Sequence, residues 1–255
     1  MKYRKSALLL RWIALLFAIL LAVLRVAVLQ TAFDENGLLP IGSKVLPLTV
    51  LACAVCFGIL WFLSSRLNGF PGRENFFSVQ GVWLPMKLLS AGLLLAGSVL
   101  ALRELKEFAF NGDTVIPCAG ILSALLLGWT SLRERRGRAF FWVRLIPLLF
   151  TGAALVLRFR AWSHDPLVIH IVPALLAWTC CMMEMMLLTG FSLNVGHRRS
   201  GILFGLGAGM YACMTVPDYF LTERMALSDL LALLGVALWC VIAALELMRE
   251  RTQSN

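Results

Sequence analysis

The hydrophobic positions of this chain fall in long runs, not at alternating positions or on one helical face. A helix needs about 20 apolar residues to cross a hydrocarbon core of about 30 Å. Eight runs qualify, at 7–31, 44–65, 82–103, 114–132, 139–159, 167–190, 201–221 and 228–248. Turn signals separate several of them, among them Asn36-Gly37, Asn68-Gly69, Pro71-Gly72, Asn111-Gly112 and Asp165-Pro166. No connecting stretch is long enough to fold separately. The pattern predicts one integral membrane domain over 1–255, an all-α polytopic bundle of about eight transmembrane helices. At the start, Arg11 interrupts the apolar run and no small-x-small cleavage site follows. That predicts an uncleaved first span in place of a signal peptide.

Composition agrees with this pattern. The chain is 60% hydrophobic and 15% charged, with a mean hydropathy of +0.84. A soluble domain would expose too much apolar surface at those values. The net charge of +9 raises nucleic acid as a partner. Its distribution argues for topology and against nucleic acid. Lys2, Arg4, Lys5, Arg66, Arg73, Arg133, Arg135, Arg136, Arg138, Arg198, Arg199, Arg249 and Arg251 fall in alternate connections, opposed only by Glu74, Glu134 and Glu250. The other connections are net acidic, with Asp34, Glu35, Glu104, Glu107, Asp113, Asp165 and Glu223 among their anions. The positive-inside rule then places both termini in the cytoplasm and the protein in the plasma membrane. The run Arg133, Arg135, Arg136, Arg138 sets topology and could also contact anionic lipid.

Charge also recurs inside the spans. Arg11 and Arg25 enclose 13 uncharged residues, Lys87 and Arg103 enclose 15, and Arg144 and Arg158 enclose 13. At 1.5 Å per residue, 13 residues cover only about 20 Å, so these cations lie inside the headgroup boundary. An aromatic and a proline turn follow each outer cation, which is compatible with four related helical hairpins. Ordinary anchoring at span ends produces the same residues. The fourth odd span departs from the pattern, carrying Pro217-Asp218 where an arginine would stand. Arg11 and Arg25, like Arg144 and Arg158, are 14 residues apart and about 40° apart around a helix. Lys87 and Arg103 fall on nearly opposite faces.

Two charged layers result. The outer one holds Arg25, Arg103, Arg158, His170 and Asp218, a candidate basic vestibule for an anionic group with Asp218 as counter-ion. Its structural alternative is interfacial anchoring plus an Arg–Asp pair. The inner one holds Arg11, Lys87, Arg144, Glu184 and Glu246. Glu184 stands among methionines, so it should be protonated or paired, with Lys87 or Arg144 as the available partner. It is a candidate coupling carboxylate or half of a structural ion pair.

Gly201, Gly205 and Gly209, at four-residue spacing, predict close helix packing and place the seventh span near the bundle centre, with Asp218 inside. Homodimerisation through that face is the alternative. Seven cysteines, all within or at the ends of apolar runs, imply reduced packing residues. Cys53-Ala54-Val55-Cys56 has redox spacing but lies deep in the second span, away from solvent. The histidines, His164, His170 and His197, do not form a metal pattern, and neither a cofactor nor a metal is expected. The leading functional expectation is a small permease, or a membrane component of a transport system, for a small or anionic solute. The alternatives are a non-catalytic subunit or sensor docking a membrane partner through the glycine face, and an intramembrane lipid-modifying enzyme using Asp218 and a histidine.

Overall fold

The computed structural model describes residues 2–31, 44–67, 83–105, 112–132, 139–163, 171–191, 197–222 and 225–248. Among them are eight α-helices and no strand: α1 (Lys2–Thr31), α2 (Val45–Ser65), α3 (Trp83–Glu104), α4 (Gly112–Leu132), α5 (Ala139–Trp162), α6 (Val172–Phe191), α7 (Arg198–Thr222) and α8 (Leu227–Leu247). All eight are long and apolar enough to cross a membrane. In hydrocarbon each span must satisfy its own backbone hydrogen bonds, which makes helix the outcome. The chain is therefore a multi-pass membrane protein whose outer faces contact lipid. Leu15, Leu16, Ile19 and Val23 of α1 and Leu48, Val50 and Leu51 of α2 are among the exposed apolar residues.

The helix ends differ little from the apolar runs. α1 begins at Lys2 and not near 7, α6 at Val172, and α7 at Arg198. The polar first turns of α1 and α7 lie outside the apolar count yet continue the helix.

α7 and α8 are the most enclosed helices, with 72% and 67% of their apolar windows buried, against 22–33% for α1 to α5. α7 packs on α1, α2, α6 and α8, while α8 packs on α3, α6 and α7. The remaining neighbours close a ring in the order α8, α3, α4, α5, α6, α7, with α1 and α2 standing outside it against α7.

Two glycine seams draw the centre together. A Cβ at Gly97 of α3 would lie 2.5 Å from Ala232 N of α8, and one at Gly235 of α8 would lie 2.5 Å from Leu94 N of α3. Between them the Ser90 hydroxyl donates to Gly235 O at 2.7 Å. The second seam is the Gly201, Gly205, Gly209 stripe. A Cβ at Gly205 would lie 2.5 Å from Cys240 O, while Gly201 faces Leu247 and Gly209 faces Val241. The stripe therefore packs α7 on α8. α8 thus covers the face that the alternative reading gives to a partner or a second copy.

Candidate functional site

The odd helices begin, and the even helices finish, at one end of the bundle, here called proximal. The other end is distal. At the proximal end the last carbonyls of the even helices have no intrahelical N–H to accept from. Arginines from the odd helices reach them. Arg144 Nη1 donates to Leu188 O at 2.9 Å and Arg198 Nε to Leu247 O at 2.6 Å. Arg11 Nη2 approaches Leu245 O at 3.5 Å. Arg199 Nη2 approaches Trp61 O at 3.4 Å, a carbonyl just before the last four of α2 that also accepts from the Ser64 hydroxyl. Cations there also meet the negative end of the helix dipole. The arginines inside spans one and five thus close the ends of neighbouring helices.

Lys87 behaves differently. Its ammonium lies 2.6 Å from Glu246 Oε1, with both side chains buried. With Arg144, Thr130, Met185 and Trp239 this pair lines a cavity of about 50 Å³ between α3, α4, α5, α6 and α8. Lys87 is therefore not the partner of Glu184, and Arg144 is hydrogen-bonded to a backbone carbonyl.

At the distal end Arg25 of α1 reaches Asp218 of α7. Its Nε and Nη2 both approach Oδ1, at 2.9 and 2.7 Å. Arg25 is 2% exposed and Asp218 4%. The second oxygen, Oδ2, is buried and has no hydrogen-bond partner among the described residues. Arg158 of α5 pairs with Asp229 of α8. Its guanidinium carbon also lies 4.6 Å from the ring centre of Trp178, within cation–π range. Trp178 of α6 is fully buried, and its indole Nε1 lacks an acceptor among the described residues. Arg158, Trp178, Asp218 and Asp229 line a second cavity, of about 40 Å³, between α5, α6, α7 and α8.

The two cavities share α5, α6 and α8. Along α5, Pro147 lines the proximal cavity and Arg158 the distal one. Phe150 lies between them and meets Trp178 edge-on, with ring centres 5.9 Å apart. Both rings are buried. Each cavity admits a few water-sized molecules at most, at ~15 Å³ for each.

Of the expected outer layer, the structure brings Arg25, Arg158 and Asp218 together. Arg103 is exposed at the end of α3 and does not line the cavity, while Glu104 beside it accepts from Ser228 of α8. His170 and His164 lie outside the described residues, as does the Arg133, Arg135, Arg136, Arg138 run. An acid–base pair of Asp218 with a histidine is thus not placed, and Asp218 is engaged by Arg25. Glu184 faces Gly201 of α7 and lines neither cavity. Sequence reasoning missed Asp229 as the Arg158 partner and the Phe150–Trp178 contact. Asp229 stands at the second position of the eighth apolar run, where it reads as an ordinary span-end charge, and the two aromatics look like ordinary span residues. No protein-family model, curated protein or solved structure matches this chain.

Proposed function

We propose that the protein is a small permease, or the membrane component of a transport system, for a small or anionic solute. The observation that carries this reading is the pair of charged cavities at opposite ends of the same three helices, with Phe150 and Trp178 between them. A polar cavity inside a membrane bundle is costly to maintain and marks a path for a polar species. Cavities towards opposite ends of one bundle, with buried aromatic side chains between them, suit access that alternates between the two sides. Pro147 in α5 and Pro217 in α7 each remove one backbone hydrogen bond beside a cavity, which loosens the helix where a solute would pass. The proximal cavity has two cations, Lys87 and Arg144, against one carboxylate, Glu246, and that balance favours an anion. The distal cavity has one cation, Arg158, against two carboxylates, Asp218 and Asp229, both paired with arginines, and the Trp178 indole N–H is the donor left for a solute. On the charge bias of the connections, the protein sits in the plasma membrane with both termini in the cytoplasm.

The test is uptake of radiolabelled glutamate, inorganic phosphate and ammonium into liposomes containing the purified protein. Uptake of an anionic probe above that of protein-free liposomes is expected. The Arg158→Gln variant, recovered as a monodisperse protein, should lose it. If none of the three probes crosses faster than in protein-free liposomes, the reading fails.

A further inference from the structure

Glu184 is fully buried in the proximal half of α6, and neither carboxylate oxygen has a hydrogen-bond partner among the described residues. What surrounds it is apolar. A Cβ placed on Gly201 of α7 would lie 3.5 and 3.6 Å from its two oxygens, and the Leu247 side chain of α8 closes the same space. On its own helix the same face carries Cys180, Cys181, Leu187 and Leu188, at three- and four-residue spacing. The thiols of Cys180 and Cys240 interact with it electrostatically, without a hydrogen bond. The charged groups on the packed helices are turned to other partners. Arg144 of α5 donates to Leu188 O, Arg198 of α7 to Leu247 O, and Glu246 of α8 holds Lys87.

An ionised carboxylate in such a place, without a donor or a cation, carries a large desolvation cost, which a bound proton removes. A hard metal cation would need about six oxygen ligands. Here the stretches of α6 and α7 beside Glu184 and Gly201 are regular helix, whose carbonyls accept from their own helix. No group of three His, Cys, Asp or Glu side chains gathers among the described residues. Met185 and Leu188 of α6 line the proximal cavity, while the Glu184 carboxyl is turned to Gly201 of α7.

We propose that Glu184 is a proton-binding site, and that the ion coupled to solute movement is a proton and not a metal cation. The second half rests on the transport reading above; the first does not. Movement of α6 against the glycine face of α7 would expose the carboxyl to the proximal cavity and let it exchange its proton.

Infrared difference spectra of wild type minus Glu184→Gln, in lipid at neutral pH, test the first half. The carbonyl stretch of a protonated carboxylic acid should appear in wild type, shift in D₂O and be missing from the variant. Glu184→Met, which matches the neighbouring side chains, supplies the same subtraction if the Gln variant does not fold. Absence of the band from the difference overturns the proton site. For the second half, an imposed pH gradient should accelerate uptake of labelled glutamate or phosphate. Glu184→Gln should lose that acceleration and keep exchange of the probe at equal pH. Acceleration by a sodium or potassium gradient in place of a pH gradient overturns proton coupling. If wild type takes up neither probe, the coupling half falls with the transport reading, and the infrared band alone decides the site.

Discussion

Arg25 and Asp218 join α1 to α7 through a single carboxylate oxygen, with Nη2 2.7 Å and Nε 2.9 Å from Oδ1. The two helices run in the same direction, and α1 otherwise turns much of its surface to lipid. Removing either partner leaves the other charged and buried, which costs about 3–5 kcal/mol. Removing both leaves an apolar contact. Arg25→Leu and Asp218→Leu should each lower the unfolding temperature in detergent sharply, and the double variant should recover most of the loss. A double variant no more stable than either single one would show that the pair does not hold α1 in place.

The α3–α8 seam makes a different kind of prediction, because its close approach is backbone against backbone. A methyl at Gly97 or Gly235 would meet main-chain atoms at 2.5 Å, and main chain cannot rotate away. Gly97→Ala and Gly235→Ala should therefore destabilise by about 1–3 kcal/mol through overpacking. Gly58 and Gly92 have nothing within 4 Å of the same position. Gly58→Ala and Gly92→Ala should be neutral or stabilise by up to about 1 kcal/mol through helix propensity. Thermal unfolding of the four variants checks both signs together.

The arginines at the proximal end act on neighbouring helices, so their loss should be felt there and not in their own helix. Arg144→Leu removes a charged donor from Leu188 O, at an expected cost of about 1–3 kcal/mol. Arg11→Leu should cost less, since its contact with Leu245 O is long. Amide hydrogen exchange should rise in the last turn of α6 for the first variant and in the last turn of α8 for the second. Faster exchange confined to α5 or α1 would contradict the capping role.

The spans could be read from the sequence because bilayer thickness imposes a length that composition alone reveals. The position of α7 could be read because Gly201, Gly205 and Gly209 repeat along one face. The α3–α8 seam could not. Gly97 and Gly235 are single glycines on different helices, and only the fold brings each opposite the other's partner residues. Backbone acceptors leave no trace in a sequence either, so Arg144 looked like a partner for Glu184, and Arg11 like one more charge of the inner layer, when both reach carbonyls. Glu184 itself was legible as an anomaly, a carboxylate among methionines. Its lack of a partner was not, because Lys87 and Arg144 were equally available on paper and the fold turned both elsewhere.

Phe150 gives the sharpest functional prediction, because on α5 it stands between the residues that line the two cavities. It lies three residues, about 4.5 Å of helix rise, beyond Pro147 of the proximal cavity, and its ring meets Trp178, which lines the distal one. Phe150→Ala deletes the ring and should merge the cavities into one polar path, whereas Phe150→Leu should keep them apart. In liposomes preloaded with labelled glutamate or phosphate, the alanine variant should leak the probe down its gradient and lose accumulation, while the leucine variant retains it. Light-scattering measurements should likewise show faster osmotic water entry for the alanine variant. A folded Phe150→Ala protein with neither leak would mean that the hydrophobic layer is thicker than this one aromatic contact. The cavities would then be separate hydrated pockets and not two ends of one route.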